Sequence, residues 1–416
     1  MDPEPIVDEP PRSLSGSGTS IVVHYGEVGI KGKNRAFFLG MLKRVLHRAL
    51  EGAPSRAIQS LPGRLLLEFS RPLSESETSR VLERIGGTFG ISHFSVCEVV
   101  SRDDPDALER AVVEITRRAS ARYSEPPSFR IASHRSDKQF PVTSVQLNAR
   151  LGLAVVEALY LPVDLRDPQL EIHVEILHDR FLLYGDRREG LDGLPVGSSG
   201  RVVALLSSGI DSPVAAYRMM GRGCRVSFVH FHSMPYTKQA SVDLAIELVR
   251  QLSRHHPTSR LYLVPLAAIQ QKIVTQAPAP LRVVLYRRYM LRLAELVARK
   301  MRARALVTGD SLAQVASQTL DNLAAIDQAA SMPILRPLIG TGKEEIIDEA
   351  RRIGTFDISI QPFDDCCSFL MPHSPETHAK LEAVLRAEER LGDMEELLRD
   401  ALARTEEIRI KLAPIG

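Results

Sequence analysis

The second half of this 416-residue chain alternates short, almost wholly apolar segments with longer amphipathic ones, and this alternation constrains its fold more than any other feature. The apolar segments predict strands at 202–206, 225–231, 261–264 and 305–308. Strands that are apolar on both faces are typical of a parallel sheet covered by helices on both sides. The sequence therefore predicts a parallel-sheet α/β domain over residues 201–416, with a capping box at Thr341 that opens a helix at 343–353 and a charged, leucine-rich helical segment over 375–412.

The first half predicts a different, α+β organisation of short strands and helices. It follows a tail at 1–20, whose prolines, acids and serines predict disorder, and it ends at a linker of glycines and charges at 187–200. The segment 31–50 carries six positive charges and no acid, which fits either a solvated helix face or an RNA-facing patch. Binding of nucleic acid would need such a local patch, because the formal net charge is only +2.

Composition excludes several classes of protein. No run approaches the ~18 apolar residues of a membrane-spanning helix, and the first twenty residues lack the apolar core of a signal peptide. Four cysteines in 416 residues do not make a disulfide framework. We therefore expect a cytoplasmic protein that does not act at a membrane.

The strongest chemical motif is the loop LLSSGIDSP at 205–213, which follows the first predicted strand of the α/β domain. Ligands of such sheets bind at the carboxyl ends of the strands. A loop of serines and glycine that opens a helix offers backbone N–H groups to phosphate oxygens, and Asp211 adds a carboxylate suited to Mg²⁺ beside a phosphate. An ordinary strand–turn–helix connection is the alternative, but the position and the three hydroxyl groups favour phosphate binding.

Other reactive side chains follow later in the chain. His230 and His232 stand at one strand end without a third ligand nearby, so no metal site is predicted. Arg287 lies in a basic helical segment, where its guanidinium group is placed to reach a phosphate. The adjacent Cys366 and Cys367 stand in a polar, proline-bounded loop, which favours thiol chemistry over a structural role.

These motifs resemble those of one enzyme family, the tRNA 4-thiouridine synthetases of the ThiI type. The loop at 207–212 is similar to the SGGxDS signature of the PP-loop ATP pyrophosphatases, with Ser208 in the place of a glycine. Six stretches match the family in order: 25–35 (YGEVGIKGKNR), 135–144 (RSDKQFPVTS), 207–213 (SSGIDSP), 231–233 (FHS), 308–319 (TGDSLAQVASQT) and 364–368 (DDCCS).

The resemblance implies a multidomain α/β fold. We expect an N-terminal ferredoxin-like α+β unit at 21–76, a THUMP RNA-binding domain at 77–186 and a parallel-sheet PP-loop ATP pyrophosphatase domain at 201–416. Larger members end in a rhodanese-like domain. Only 49 residues follow Cys367, fewer than the ~100 of a typical domain, so we expect the short form.

The same resemblance implies residue roles by position. Asp211, Cys366 and Cys367 are the expected catalytic residues, with a persulfide on Cys366. The expected ATP contacts are Leu205, Leu206, Ser207, Ser208, Gly209, Asp211, Ser212, His230, Phe231, Arg287, Gly309 and Gln318. The expected RNA contacts are Lys31, Lys33, Arg35, Lys43, Arg44, Arg135 and Lys138.

The implied activity is ATP-dependent sulfur transfer to tRNA, with Mg²⁺ accompanying ATP. The C4 oxygen of the uridine at position 8 is adenylated, and a sulfur nucleophile then replaces it to give 4-thiouridine. Expected partners are tRNA, a cysteine desulfurase or other sulfur donor, a sulfur-carrier protein of thiamine synthesis, and a second copy in a homodimer. The alternatives are another PP-loop RNA-modifying enzyme, a non-catalytic THUMP RNA-binding protein, and a THUMP methyltransferase, for which the sequence has no glycine-rich loop of the dinucleotide type.

Overall fold

The computed structural model describes residues 18–256, 258–362, 370 and 372–415. Within this part the chain forms two compact units. The first ends at Gly193 and includes 414–415, and the second runs from Leu194 to Ala413. No helix of the described part is long and apolar enough to cross a membrane.

The first unit is an α+β structure built on one sheet. Its described strands and helices are β1 (Ser20–His24), α1 (Arg35–Ala49), β2 (Ser55–Leu61), β3 (Arg64–Phe69), α2 (Glu75–Gly86), β4 (His93–Ser101), α3 (Pro105–Ser120), β5 (Phe129–Arg135), α4 (Ser144–Leu159), β6 (Leu170–Ile176), β7 (Arg180–Tyr184) and β8 (Arg188–Glu189). The strand order is β2-β3-β1-β4-β7-β6-β5, and β8 also pairs with β4. The segment 187–200, predicted to be a linker, therefore contributes a short strand to this sheet.

Strand β4 joins two halves of this sheet. Its residues 93–97 pair with β1, and its residues 98–101 pair with β7. The elements from β1 to β4 follow the β-α-β-β-α-β order of a ferredoxin-like unit. Helix α2 begins at a capping box, because Ser74 accepts from the N–H of Glu77 while the Glu77 carboxylate accepts from the N–H of Ser74.

The second unit is the predicted α/β structure. Its described strands and helices are β9 (Arg201–Leu205), α5 (Asp211–Gly221), β10 (Arg225–His232), α6 (Ala240–Leu252), β11 (Thr258–Pro265), α7 (Ala267–Gln276), α8 (Arg282–Lys300), β12 (Ala305–Val307), α9 (Leu320–Asp327), β13 (Ile334–Leu335), α10 (Lys343–Arg352), α11 (Phe356–Ser359), α12 (Leu381–Leu391), α13 (Glu395–Ala403) and β14 (Glu406–Lys411). The strand order is β13-β12-β9-β10-β11-β14.

The strand order creates a topological switch point in the second unit. The chain moves outward from β9 to β10 and β11, and then crosses to β12 on the opposite side of β9. All pairs from β13 to β11 are parallel. Loops that leave the carboxyl ends of β9 and β12 in opposite directions open a crevice between them, which is where such sheets bind ligands.

Two local predictions in the second unit are wrong. The sequence predicts one helical segment over 375–412, whereas the chain ends in the edge strand β14, antiparallel to β11. The residues EEIRIK of β14 alternate with period two, which is a strand pattern. The sequence also predicts a capping box that starts at Thr341. The N-cap of α10 is instead Gly342, and the Thr341 hydroxyl accepts a hydrogen bond from Arg218.

Candidate active site

A cavity lies at the switch point, at the carboxyl ends of β9, β10 and β12. Of the twelve residues predicted to contact ATP, all but Ser208 and Gly209 line it. Sequence reasoning missed three further lining residues, Met290, Thr308 and Asp310. Met290 lies one helical turn after Arg287, and the other two flank Gly309, so their spacing from predicted contacts was an available signal. The lining residues are Leu205, Leu206, Ser207, Asp211, Ser212, His230, Phe231, Arg287, Met290, Thr308, Gly309, Asp310 and Gln318.

The loop between β9 and α5 is closed by its own serines. The Ser212 hydroxyl accepts from the N–H of Ser207 at 2.9 Å and lies 3.1 Å from the Ser207 hydroxyl. Ser208 is buried, and its hydroxyl donates to the carbonyl oxygen of Ser241 in α6 at 2.9 Å. Ser208 has a negative φ, so a side chain in the place of the usual glycine costs no backbone strain.

Asp211 is held from two sides at the start of α5. Lys343 Nζ lies 2.6 Å from Oδ1, and Gln314 Nε2 donates to Oδ2 at 2.9 Å. The N-terminus of a helix also favours a negative charge. Sequence reasoning missed both partners. Lys343 belongs to the stretch GTGKE at 340–344, which resembles a Walker loop only superficially, and nothing local links it to Asp211.

The loop after β12 approaches the loop after β9 very closely. A Cβ atom on Gly309 would lie 2.7 Å from Ser212 N and 2.8 Å from Ser212 Cα, so this approach requires glycine. Ala313 in the same loop has a φ of 61°, which is unfavourable for a residue with a Cβ atom. Its N–H donates to the carbonyl oxygen of Gln318 at 2.9 Å. The loop therefore keeps a strained turn directly before Gln314, which donates to Asp211, and this turn is closed by Gln318, which lines the cavity.

Asp310 is a buried acid that several donors share. Thr308 Oγ1 donates to it at 2.7 Å and Arg336 Nε at 3.0 Å, and Arg287 forms an ion pair with it. Burial alone would raise the pKa of Asp310, but the charge of Arg287 and the hydrogen bonds hold it below its usual value. Asp310 is therefore an ionised acceptor at neutral pH.

Arg218 in α5 positions the loop that leads to Lys343. Its Nε donates to Glu349 of α10 at 2.8 Å. Its Nη1 donates to the carbonyl oxygen of Pro337 at 3.0 Å and to the Thr341 hydroxyl at 2.8 Å. One side chain thus connects the helix that begins with Asp211 to the helix that begins with Lys343.

The predicted catalytic cysteines, Cys366 and Cys367, lie outside the described residues. The two described cysteines, Cys97 and Cys224, are buried and free. Burial raises the pKa of Cys97 to about 12 and raises that of Cys224 as well. Both are therefore protonated and unreactive at neutral pH.

The predicted RNA contacts of the first unit differ in exposure. Lys33, Arg35 and Lys138 are exposed. Lys31 is partly buried, pairs with Glu27 and lies 5.5 Å from the centre of the Phe38 ring.

The other three predicted contacts are engaged within the protein. Arg135 donates to the carbonyl oxygens of Phe140 and Val142, both at 3.3 Å. Arg44 donates to the Met41 sulfur. Lys43 is only 6% exposed, so the prediction that it lies on the exposed face of α1 is wrong. Its aliphatic stem makes burial of this position possible.

Three family models match the chain in order. They are the ThiI ferredoxin-like domain at 20–95, the THUMP domain at 102–186 and the model described as thiamine biosynthesis protein (ThiI) at 197–392. These matches confirm the predicted fold class.

Similar proteins and structures agree with these models. A probable tRNA sulfurtransferase of Thermus thermophilus is 46% identical over 93% of this chain and 92% of its own length, and one of Nocardia farcinica is 40% identical over 93% of each chain. The solved complex of a 4-thiouridine synthetase with RNA and bound ATP has a TM-score of 0.86 and 31% identity, over 95% of this chain and 100% of that one. A Pyrococcus horikoshii structure with a TM-score of 0.64 and 22% identity, over 81% of this chain and 99% of that one, shares the fold. The chain belongs to the ThiI family of tRNA sulfurtransferases.

Proposed function

We propose that this protein uses ATP to adenylate a uridine of tRNA, the one at position 8, and replaces its C4 oxygen with sulfur to give 4-thiouridine. The observation that carries the proposal is the serine loop at 207–212, which brings hydroxyl groups, a helix N-terminus and Asp211 to one cavity at the switch point. The similar 4-thiouridine synthetase was solved with RNA and ATP, which supports the same two substrates here.

The first half-reaction makes a leaving group. The C4 oxygen of uracil is a poor leaving group and has to be activated before sulfur can replace it. This oxygen attacks the α-phosphate of ATP, and pyrophosphate departs. The oxygen then leaves as part of AMP when sulfur attacks C4. The N–H groups at the start of α5 are suited to bind the phosphate oxygens. Lys343, 2.6 Å from Asp211, holds this carboxylate beside the same loop.

The charge balance of the cavity favours Mg²⁺ as the companion of ATP. Arg287 is paired with Asp310 and Lys343 with Asp211, so these cations are already neutralised. The described residues hold no group of three or more metal-ligating side chains. Mg²⁺ needs only one or two carboxylates when phosphates complete its shell, and Asp211 fits that role. The ion would neutralise charge on the phosphates.

The second half-reaction transfers sulfur. The outer sulfur of a persulfide on Cys366 attacks C4, the C4–O bond breaks and AMP leaves, so a disulfide links Cys366 to the nucleoside. A thiol reductant then attacks the Cys366 sulfur and releases 4-thiouridine, leaving Cys366 in a disulfide with the reductant. Cys367 is the second candidate for this role.

The proposal includes partners and a setting. A cysteine desulfurase or another sulfur donor loads the cysteine, and a sulfur-carrier protein of thiamine synthesis is a second acceptor. The exposed cations Lys33, Arg35 and Lys138 contact tRNA. We also propose a homodimer, a cytoplasmic location and a PP-loop domain at 201–416, whereas the predicted bound at 76 would divide the ferredoxin-like unit that runs from β1 to β4.

Separate assays of the two half-reactions test the proposal. The protein should release pyrophosphate from ATP when tRNA is added, without any sulfur donor. With a persulfide donor and a thiol reductant, mass spectrometry of the tRNA nucleosides should detect 4-thiouridine. Absence of tRNA-dependent pyrophosphate release would reject the proposed activity.

A further inference from the structure

One buried amide at the cavity wall uses only half of its hydrogen-bonding capacity. Gln318 lines the cavity and is only 9% exposed. Its Nε2 donates to Asp310 Oδ1 at 3.3 Å. Its Oε1 is buried and has no hydrogen-bond partner within the part of the chain that the structure describes. A buried acceptor is normally satisfied, so this oxygen is suited to accept from a ligand.

The charge state of Asp310 determines which end of the Gln318 amide lies against its carboxylate. An ionised carboxylate can only accept hydrogen bonds, whereas an amide has one donating and one accepting end. A half-turn of the Gln318 amide would set its oxygen against the Asp310 carboxylate. The NH₂ group therefore faces Asp310, and the carbonyl oxygen is left for another donor.

A chain of ion pairs extends from the buried Asp310 through the partly buried Arg336 to the more exposed Asp327. Arg336 donates to Asp310 Oδ2 through Nε at 3.0 Å and to Asp327 Oδ2 through Nη1 at 2.9 Å. Thr308 and Arg287 occupy further acceptor positions of the same carboxylate. A carboxylate held by three side chains other than Gln318 cannot rotate freely, so it can hold the orientation of the Gln318 amide.

We propose that Asp310 is a positioning residue for nucleotide recognition, because it presents the Gln318 carbonyl oxygen as the acceptor for a hydrogen-bond donor of the bound nucleotide. ATP has three such donors at neutral pH, the 6-amino group of adenine and the 2′ and 3′ hydroxyl groups of ribose, since its phosphates only accept. The site therefore selects nucleotides that carry the recognised donor. This inference rests on the proposed use of ATP and adds the atom that reads it.

The test uses three analogues that each lack one donor: purine riboside triphosphate, which has a hydrogen atom in place of the 6-amino group, 2′-deoxy-ATP and 3′-deoxy-ATP. Their binding to the full chain is measured directly, and their KM and kcat are measured by tRNA-dependent pyrophosphate release. The wild-type protein should bind one analogue about 10-fold more weakly than ATP, because the buried acceptor is then unsatisfied. Gln318→Leu, similar in shape but without an acceptor, should bind ATP and that analogue within about twofold of each other.

Asp310→Asn tests the positioning role itself. An asparagine can donate as well as accept, so the Gln318 amide is no longer held in one orientation. The preference for ATP over the weakly bound analogue should fall from about 10-fold to about threefold, mainly because KM for ATP rises. Asp327→Asn loosens the outer end of the same chain without touching the amide, and it should discriminate as the wild type does.

Two results would overturn the inference. One is Gln318→Leu with wild-type discrimination against all three analogues, and the other is Asp310→Asn with wild-type discrimination. A wild-type protein that binds no ATP would instead reject the proposed function, so the two failures are distinguishable.

Discussion

The role of Ser208 in the candidate site depends on the residue that its hydroxyl group contacts. Ser208 replaces a glycine of the PP-loop signature, and from sequence alone Ser208→Gly is expected to be neutral or mildly activating. The structure changes this expectation, because the Ser208 hydroxyl is buried and bonded to Ser241 across the unit.

We expect Ser208→Gly to destabilise the protein by about 1–2 kcal/mol. The variant loses a buried hydrogen bond and gains backbone freedom in the unfolded chain. Denaturant unfolding measures the change, and Ser208→Ala, which loses only the hydroxyl, separates the two contributions. A Ser208→Gly protein as stable as the wild type would contradict the assigned hydrogen bond.

Asp211→Asn should lower tRNA-dependent pyrophosphate release by about 10²–10³-fold, the usual cost of losing one charged group of a phosphate-transfer site. The change keeps the size of the side chain but removes the charge that faces Lys343. Affinity for tRNA, measured by filter binding, should stay near the wild-type value. Unchanged pyrophosphate release would show that the loop is not the site of ATP cleavage.

Cys366→Ser should separate the two half-reactions. Activation of uracil needs no thiol, so adenylated tRNA should still form, whereas sulfur transfer from a persulfide donor should be lost. Nucleoside mass spectrometry measures both products, and Cys367→Ser is the matched control with a smaller expected loss. Wild-type thiouridine formation by Cys366→Ser would refute the role of this cysteine.

Contacts between secondary-structure elements hold the molecule together at two places, one between loops and one between strands. The loops after β9 and β12 touch at Gly309, and a largely buried polar cluster connects four strands of the first unit, β1, β3, β6 and β7. In that cluster Glu175 of β6 accepts from His24 of β1 at 2.7 Å and from Tyr184 of β7 at 2.8 Å, and it pairs with Arg64. Burial lowers the pKa of His24 to about 3.

Gly309→Ala should impair nucleotide binding at least about 10-fold, because the new methyl group would meet the backbone of Ser212 and push the loops apart. Gly340→Ala is the matched control, since a Cβ atom there meets nothing within 4 Å. Direct binding of ATP measures both variants. Equal affinities would mean that the loops do not need this close contact.

The His24 cluster predicts a loss of stability in mild acid. The unfolded chain takes up a proton at His24 below pH ~6.5, whereas the folded chain excludes it until pH falls to about 3, so stability declines as pH falls through that window. His24→Gln keeps a donor for Glu175 but does not titrate. Between pH ~7.5 and ~5.5 the wild type should lose about 1 kcal/mol more than the variant in denaturant unfolding. Equal losses would contradict a buried neutral histidine.

At the scale of the whole molecule, we expect RNA binding in the first unit and nucleotide chemistry in the second. If tRNA binding neutralises about five phosphates, log K should fall with log[salt] at a slope of about −3.5 to −4.5. Replacing the exposed Lys33, Arg35 and Lys138 of the first unit by glutamine should reduce the slope by about 2–3, while Lys300→Gln in the second unit should leave it unchanged. An unchanged slope in the triple variant would place the RNA contacts elsewhere.

Local sequence patterns predicted four of the six described strands of the second unit, β9 to β12, as well as the serine loop and the family. Runs of apolar residues and a Ser/Gly loop before a helix can be recognised from residues that are adjacent in the sequence. Lys343 stands 132 residues after Asp211, and Asp310 gathers donors from three separate segments. These contacts form only in the folded unit, because they depend on which strands are neighbours in the sheet and which loops therefore meet at its carboxyl edge.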